Sequence, residues 1–218
     1  MTFRESPATI TIAAVTALVS ALILISGYLP EAAVLGGFIP ARLQTELFAP
    51  GVWAVPALLT PFSTLFVHGS ALQIFFNALM LVITGQKTEQ AIGWPQFLLL
   101  YVIGATASAA TYFLVAPGAI MPLLGMSGAL SAVIGAYSLL YGKPRNPPIG
   151  PFSARTVHVA WLAVAWAAIS VIGALLVPTS AQRTIWDVLA WGAAAPIGGF
   201  LAGLAAARPL LMWHWRKA

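Results

Sequence analysis

The sequence predicts an all-α membrane protein: one domain, a bundle of about six transmembrane helices, with a long outer loop between the first and second. Three observations predict it. Hydrophobic residues make up 60% of the chain and charged residues 7%, and the mean hydropathy is +0.92, more apolar surface than a soluble domain of 218 residues carries. The apolar residues fall in runs long enough to cross a hydrocarbon layer of ~30 Å. The lysines and arginines sit in the breaks between those runs, mostly on one side.

The first run, Ala8–Leu29 (residues 8–29), carries no charge. It is too long for the apolar part of a signal peptide, and no convincing small-residue cleavage site follows, so it reads as a retained span. The outer loop, residues 30–63, is broken by Pro40, Pro50, Pro56 and Pro61 and carries Trp53. It reads as a segment lying partly in the interface, where tryptophan is favoured. The core, residues 64–207, begins with a second span, Thr64–Thr84, and a short polar turn, Gly85–Pro95. A third span, Phe97–Val115, leads through a Pro/Gly loop, Ala116–Leu124, to a short fourth span, Met126–Tyr141. The basic, proline-rich Gly142–Arg155 is a loop, Val157–Val177 a fifth span, Pro178–Ile185 a connector and Trp186–Ala207 a sixth span. A basic tail, residues 208–218, closes the chain.

Six spans put both termini on one side. That side holds Arg4, Lys87, Lys143, Arg145, Arg155, Arg208, Arg216 and Lys217, and the other holds Arg42 and Arg183. Eight and two account for all ten basic residues. The bias places both termini in the cytoplasm. It also explains the net charge of +5 without a nucleic-acid partner, since the charge marks a membrane face against the lipid bilayer. The chain has no cysteine, which excludes disulfides and thiolate metal sites. No metal or cofactor is expected. The one formal charge within a span, Asp187, stands at the outer end of the sixth and marks no ion pathway, and no inverted repeat with matched broken helices suggests a transporter.

One stretch carries chemistry, Met121–Leu130, MPLLGMSGAL. Pro122 and the glycines suit a turn, and the run beyond suits a helix, so Ser127 lies near a helix N-terminus whose N–H groups lack partners. Such a terminus can bind an oxyanion, and a serine there is half of an acyl-transfer site. The motif also fits plain packing, because Ser127, Ser131 and Gly135 recur every four residues as a small-residue stripe. The sixth span has its own stripe, Gly199 and Gly203, and runs parallel to the fourth. Aligning Ser131 with Gly199 and Gly135 with Gly203 sets Ser127 beside Ala195 or Pro196.

The second span contains His68, Gln73 and Asn77. Gln73 and Asn77 share one helical face. His68, nine residues before Asn77, is about half a turn round and so points away from the Gln73/Asn77 face, near the outer end. The two amides serve either interhelical hydrogen bonding or, with Ser127, an oxyanion hole.

With these residues in place the sequence resembles the rhomboid intramembrane serine proteases. The resemblance rests on GMSGA (Gly125–Ala129), FVHGSALQIFFN (Phe66–Asn77), GQKTEQAIG (Gly85–Gly93, with Glu89 at the family's acidic position) and APIGGFLAG (Ala195–Gly203). It implies a six-helix core with a water-filled cavity open to the outer face, in an integral protein of a bacterial inner (plasma) membrane. Ser127 takes the nucleophile position. Ser127 with its own N–H, Gly125, Asn77 and Gln73 take the oxyanion positions, and His68 matches the family's non-catalytic second-span histidine. Two positions depart. Gln73 replaces a histidine, a mild change because an amide still donates. Pro196 replaces the catalytic histidine and has neither a titratable group nor an N–H. Asp187, His158 and His214 each lie too far from Ser127 to act as base, which leaves His68 as the one surrogate. The resemblance therefore implies a pseudoprotease that binds transmembrane segments of client proteins without cutting them. The alternative is an active serine endopeptidase, cleaving substrate helices with a substitute base such as His68.

Overall fold

A computed structural model describes residues 5–49, 51–141, 147–176 and 185–216. The described residues are helical, with isolated bridges Phe38–Leu123 and Ile149–Phe152 as the extended pairings. Arg4, Lys143, Arg145, Arg183 and Lys217, half of the charges used for orientation, lie outside these residues, as do 178–184 of the connector.

Helix α1 (Pro7–Ser26) opens on a proline and stops at Gly27, whose φ of 76° closes the C-terminus. The first span thus ends earlier than Leu29, which begins the short α2 (Leu29–Gly36). The outer loop is a folded segment. Turns of 3₁₀ helix at Pro40–Leu43 and Ala57–Leu59 and a single α-helical turn, α3 (Thr60–Ser63), follow the prolines that divide it.

The second span departs from expectation at both ends. Helix α4 runs Ala71–Ile92, with Ser70 as N-cap accepting the Gln73 N–H at 3.2 Å. Residues Ala57–Phe66 meet it at an 89° bend, so His68 lies in the bend and not on the helix. At the other end the expected polar turn Gly85–Pro95 is helical to Ile92. Lys87 and Gln90 are exposed there, but Gln86, Thr88 and Glu89 are buried, and α1 supplies the partners of Glu89. Glu89, 2% exposed, accepts the N–H of Ala8 at 3.0 Å, the N–H of Thr9 at 2.7 Å and the Thr9 hydroxyl at 2.7 Å. A carboxylate there satisfies orphan donors at the start of α1 and complements the helix dipole. Gly93, at φ 82°, ends α4, and Pro95 starts α5 (Trp94–Val115).

Helix α6 (Ser127–Tyr141) is the centre of the bundle. Ten of its 15 residues are buried, and α4, α5, α7 (Ala154–Leu176) and α9 (Ala195–Trp215) surround it. The expected seam with the last span is present. A Cβ on Gly199 would lie 2.3 Å from Gly128 O and 3.1 Å from Ser131 Cβ, and one on Gly203 2.1 Å from Ala132 O. A Cβ on Gly135 would lie 2.4 Å from Phe200 O. The helices run parallel with backbones in contact, as small faces allow. α7 is tied in by Trp166 Nε1, which donates to Ser131 Oγ at 2.7 Å.

The last span is not one regular helix. After α8 (Ile185–Leu189) comes a π-helical turn, Ala190–Ala194, and then α9. The helix continues past Ala207 to Trp215, so Arg208 and His214 belong to it rather than to a free tail. Among the described residues four helices are long and apolar enough to cross a membrane, and the bent Ala57–Ile92 pair makes five. α6, at 15 residues, falls short of that length. This is the difference from the expected six.

The seam yields a test. Gly199→Leu forces side-chain atoms into the carbonyl of Gly128, and overpacking costs ~1–3 kcal/mol or more. Gly173, whose Cβ would meet nothing within 4 Å, is the control. Gly199→Leu should lower the melting temperature in detergent well below that of Gly173→Leu, and equal melting of the two variants would place the α6–α9 contact elsewhere.

Candidate active site

The chain enters α6 through a turn, Leu123–Met126, whose backbone groups are held one after another by the bend between Phe62 and Gln73. Leu123 N–H donates to Phe38 O at 2.8 Å, and Leu123 O accepts the Thr64 hydroxyl. Leu124 O accepts Gln73 Nε2 at 3.2 Å. Gly125 N–H donates to Thr64 O at 3.1 Å, and Met126 N–H to His68 Nε2 at 3.4 Å. The turn needs glycine at 125 on two counts. Its φ is 89°, and a Cβ would lie 2.8 Å from Gln73 Nε2 and 3.1 Å from the His68 ring. The first bond of the α6 ladder runs from Leu130 N to Met126 O at 2.9 Å. The N–H groups of Ser127, Gly128 and Ala129 therefore precede the ladder. Ser127, half-buried, opens the helix, and its hydroxyl has no hydrogen-bond partner among the described residues.

His68 is fully buried, and the network fixes its tautomer. The Ser20 hydroxyl donates to Phe66 O at 2.8 Å, so its lone pair accepts from His68 Nδ1, also at 2.8 Å. Nδ1 therefore carries the proton and Nε2 is the acceptor for Met126 N–H. This corrects the helical-wheel expectation that His68 points away from the Gln73/Asn77 face, since Gln73 and His68 both meet Gly125. The wheel assumed a helix from Thr64, whereas the 89° bend turns the imidazole onto the residue preceding Ser127.

The amides differ in their commitments. Gln73 accepts Gly69 N–H through Oε1 at 2.8 Å and gives one Nε2 proton to Leu124 O. Asn77, one turn further along the same face of α4, is 5% exposed, and its Nδ2 has no partner among the described residues. A buried amide donor without an acceptor is costly. It is the kind of group that can receive an oxyanion.

Pro196 is buried near the start of α9. It lies three residues, one turn, before Gly199, and Gly199 touches Gly128. In parallel helices this sets Pro196 toward the Ser127 end of the seam. His158, near the start of α7, and His214, packed against Gly93 at the opposite end of the bundle, are not brought to the serine. Sequence reasoning missed Ser20, Thr64 and Phe38. None belongs to a motif, and each acts through partners 46 or more residues away.

A family model described as Rhomboid domain matches residues 56–213. A comparison with curated proteins gives no match.

Gly125→Ala tests how the turn is built. A left-handed conformation costs a residue with a Cβ ~1–2 kcal/mol, and the clash with Gln73 Nε2 adds to that. The variant should unfold at lower temperature, and protease should nick it within 116–126 sooner than wild type. Wild-type melting and cleavage pattern would refute the tight turn.

Proposed function

Because the chain belongs to the rhomboid family of intramembrane proteins, we propose that it keeps the serine arrangement of that family without efficient proteolysis, and binds transmembrane segments of client membrane proteins instead. Pro196 carries this reading. Ser127 sits before the open N–H groups of α6, and Asn77 offers a free donor as an oxyanion partner, with Gln73 giving weaker support. Transfer to an acyl group also needs a base to take the serine proton. At position 196 the side chain is a pyrrolidine with no titratable group. Losing one member of such a unit typically costs ~10⁴–10⁶ in rate.

The second reading, an active serine endopeptidase with His68 as substitute base, draws on the burial of His68 against the serine turn. Its basic nitrogen is engaged, however. Nε2 accepts Met126 N–H and Nδ1 donates to Ser20. Serving Ser127 would mean giving up a hydrogen bond that holds the turn, so His68 acts in our reading as a positioning residue.

Client segments fit this architecture for a geometric reason. At ~1.5 Å per residue, the 15 residues of α6 span ~22 Å, less than the ~30 Å hydrocarbon layer. With the far end of α6 at the cytoplasmic surface, Ser127 lies below the outer surface, at a depth where a helix unwinding into the bundle presents its backbone. We place both termini in the cytoplasm of a bacterial inner membrane, with Ser127 accessible from outside, on the Lys/Arg bias.

Two experiments test this. Purified wild type should neither label with a fluorophosphonate nor cut a generic transmembrane substrate, and Ser127→Ala should behave identically. Cleavage by wild type that Ser127→Ala abolishes would refute the pseudoprotease reading and favour the His68 mechanism. Pro196→His should produce weak serine-dependent labelling, because an imidazole enters near Ser127 in a helix shaped around proline, and misplacement by ~1 Å can cost ~10²-fold. For topology, the chain has no native cysteine, so Gly118→Cys and Ala218→Cys are single-thiol reporters. A membrane-impermeant reagent added to intact cells should label the first and not the second. Labelling of both from outside would overturn the orientation.

A further inference from the structure

The outer loop holds a cavity of about 490 Å³, lined by Arg42, Thr45, Glu46, Phe48 and Val52 among others. It stands at the same end of the bundle as the serine turn. Ala41 N–H donates to Ala119 O at 3.1 Å and Gln44 Nε2 to Pro117 O at 2.9 Å, tying this loop to the one that leads into α6.

The charges in the cavity are incompletely used. Arg42 gives one nitrogen, Nη2, to Val55 O at 2.6 Å, and its guanidinium lies 4.7 Å from the centre of the Phe48 ring. Its other terminal nitrogen, Nη1, is buried without a partner among the described residues. Desolvation lowers the pKa of the group, as expected of a cation with incomplete compensation. Glu46, exposed on the same cavity, has neither an ion pair nor a hydrogen bond among the described residues. The cavity thus offers one guanidinium and one carboxylate that do not neutralise each other. Leu47 and Val52, which line it, are exposed, and in the same loop Leu59 is exposed and Trp53 and Leu58 are each 78% exposed. Leu47, Val52 and Trp53 lie outside the helices long enough to cross a membrane, while Leu58 and Leu59 open the bent Ala57–Ile92 pair. Apolar surface of this extent, rimmed by polar groups and carrying a tryptophan, matches the boundary between headgroups and acyl chains.

We propose that this cavity binds the headgroup of a zwitterionic phospholipid with a primary amine, phosphatidylethanolamine. The phosphate pairs with Arg42, the ammonium pairs with Glu46, and the acyl chains lie along the exposed leucines and Trp53. A phosphodiester supplies an acceptor for the orphaned Nη1, and a guanidinium suits it better than an ammonium would. A primary ammonium supplies the donors that Glu46 lacks. Phosphatidylglycerol has no cation for Glu46, and phosphatidylcholine has a cation that cannot donate a hydrogen bond. The assignment does not rest on whether Ser127 is catalytic.

The experiment titrates the full chain in detergent with dihexanoyl phosphatidylethanolamine, phosphatidylglycerol and phosphatidylcholine, each below its micelle concentration, and with soluble O-phosphoethanolamine. Melting temperature and lipid retention by native mass spectrometry are the readouts. The ethanolamine lipid should raise the melting temperature saturably and bind about fivefold tighter than the glycerol lipid, the size of one well-formed exposed ion pair. Arg42→Gln should abolish saturable binding. Glu46→Gln, at an exposed residue without a partner, should melt like wild type without lipid and should bind ethanolamine and glycerol lipids equally. Equal response to all three lipids in wild type, or a retained ethanolamine preference in Glu46→Gln, would overturn the proposal. O-phosphoethanolamine binding as tightly as the lipid would assign the site to a soluble phosphate and overturn it equally.

Discussion

Four residues of irregular backbone, Leu123–Met126, must be satisfied where the bilayer supplies no water. Outside helices and closed barrels, such backbone persists at membrane depth only if protein surrounds it. Here a second piece of irregular chain, the bend through Thr64 and His68, meets the turn at Leu123, Gly125 and Met126, with Phe38 and Gln73 adding bonds at Leu123 and Leu124. The two irregular segments are mutually dependent. The 89° bend exists because 64–70 turns its polar groups to the serine turn rather than continuing a helix, and the serine turn can hold a glycine at φ 89° because those groups receive it. A buried hydrogen-bonded network of this kind favours one geometry over its alternatives.

The same constraint explains why α6 carries so little side-chain bulk. A helix surrounded by α4, α5, α7 and α9 has no lipid-facing side, so packing rather than hydropathy sets its residues. Gly128 leaves room for Ser108 Oγ at 2.3 Å from a hypothetical Cβ, and Gly104 does the same for Ala132. Van der Waals contact and close backbone approach replace the hydrophobic effect inside a bilayer. The serine at the head of α6 is thereby held by a helix with no freedom to shift along its neighbours.

Much of this was legible in the sequence, and the reasons are physical. The GMSGA turn was legible because glycine at a left-handed position and a proline before it have few other uses. The α6–α9 seam was legible because glycines four apart in two parallel spans align in only a few registers. The polar end of α4 was not. Gln86, Thr88 and Glu89 look solvated in the chain and are buried in the fold, where the Glu89 carboxylate and the Gln86 carbonyl meet partners about 80 residues away at the start of the chain and the Thr88 hydroxyl turns back to Thr84 O. Reading Gly85–Pro95 as a turn followed from local polarity, and no local signal reports a partner so distant. His68 failed similarly. A helical wheel is right only where the helix exists, and Ser70, an N-cap residue, was the available sign that it begins after the histidine.

Pro196 alters more than the chemistry of one side chain. Without an N–H it leaves the carbonyl four residues earlier, at Gly192, with no ladder donor, and its ring crowds that carbonyl. The helix answers by widening just before it. Ala195 N–H donates to Ala190 O, five residues back, and Ala190–Ala194 form a π turn. A π turn holds one more residue than an α turn, so everything before it is rotated about the axis relative to a regular helix. Trp191, buried with an unpartnered Nε1, lies inside this turn. The Ser127 end of the last span therefore has a path set by the proline, while Gly199 and Gly203 below it keep the tight register with α6. The seam holds the two helices together below the π turn, through Gly199 and Gly203, whatever path the helix takes above Pro196.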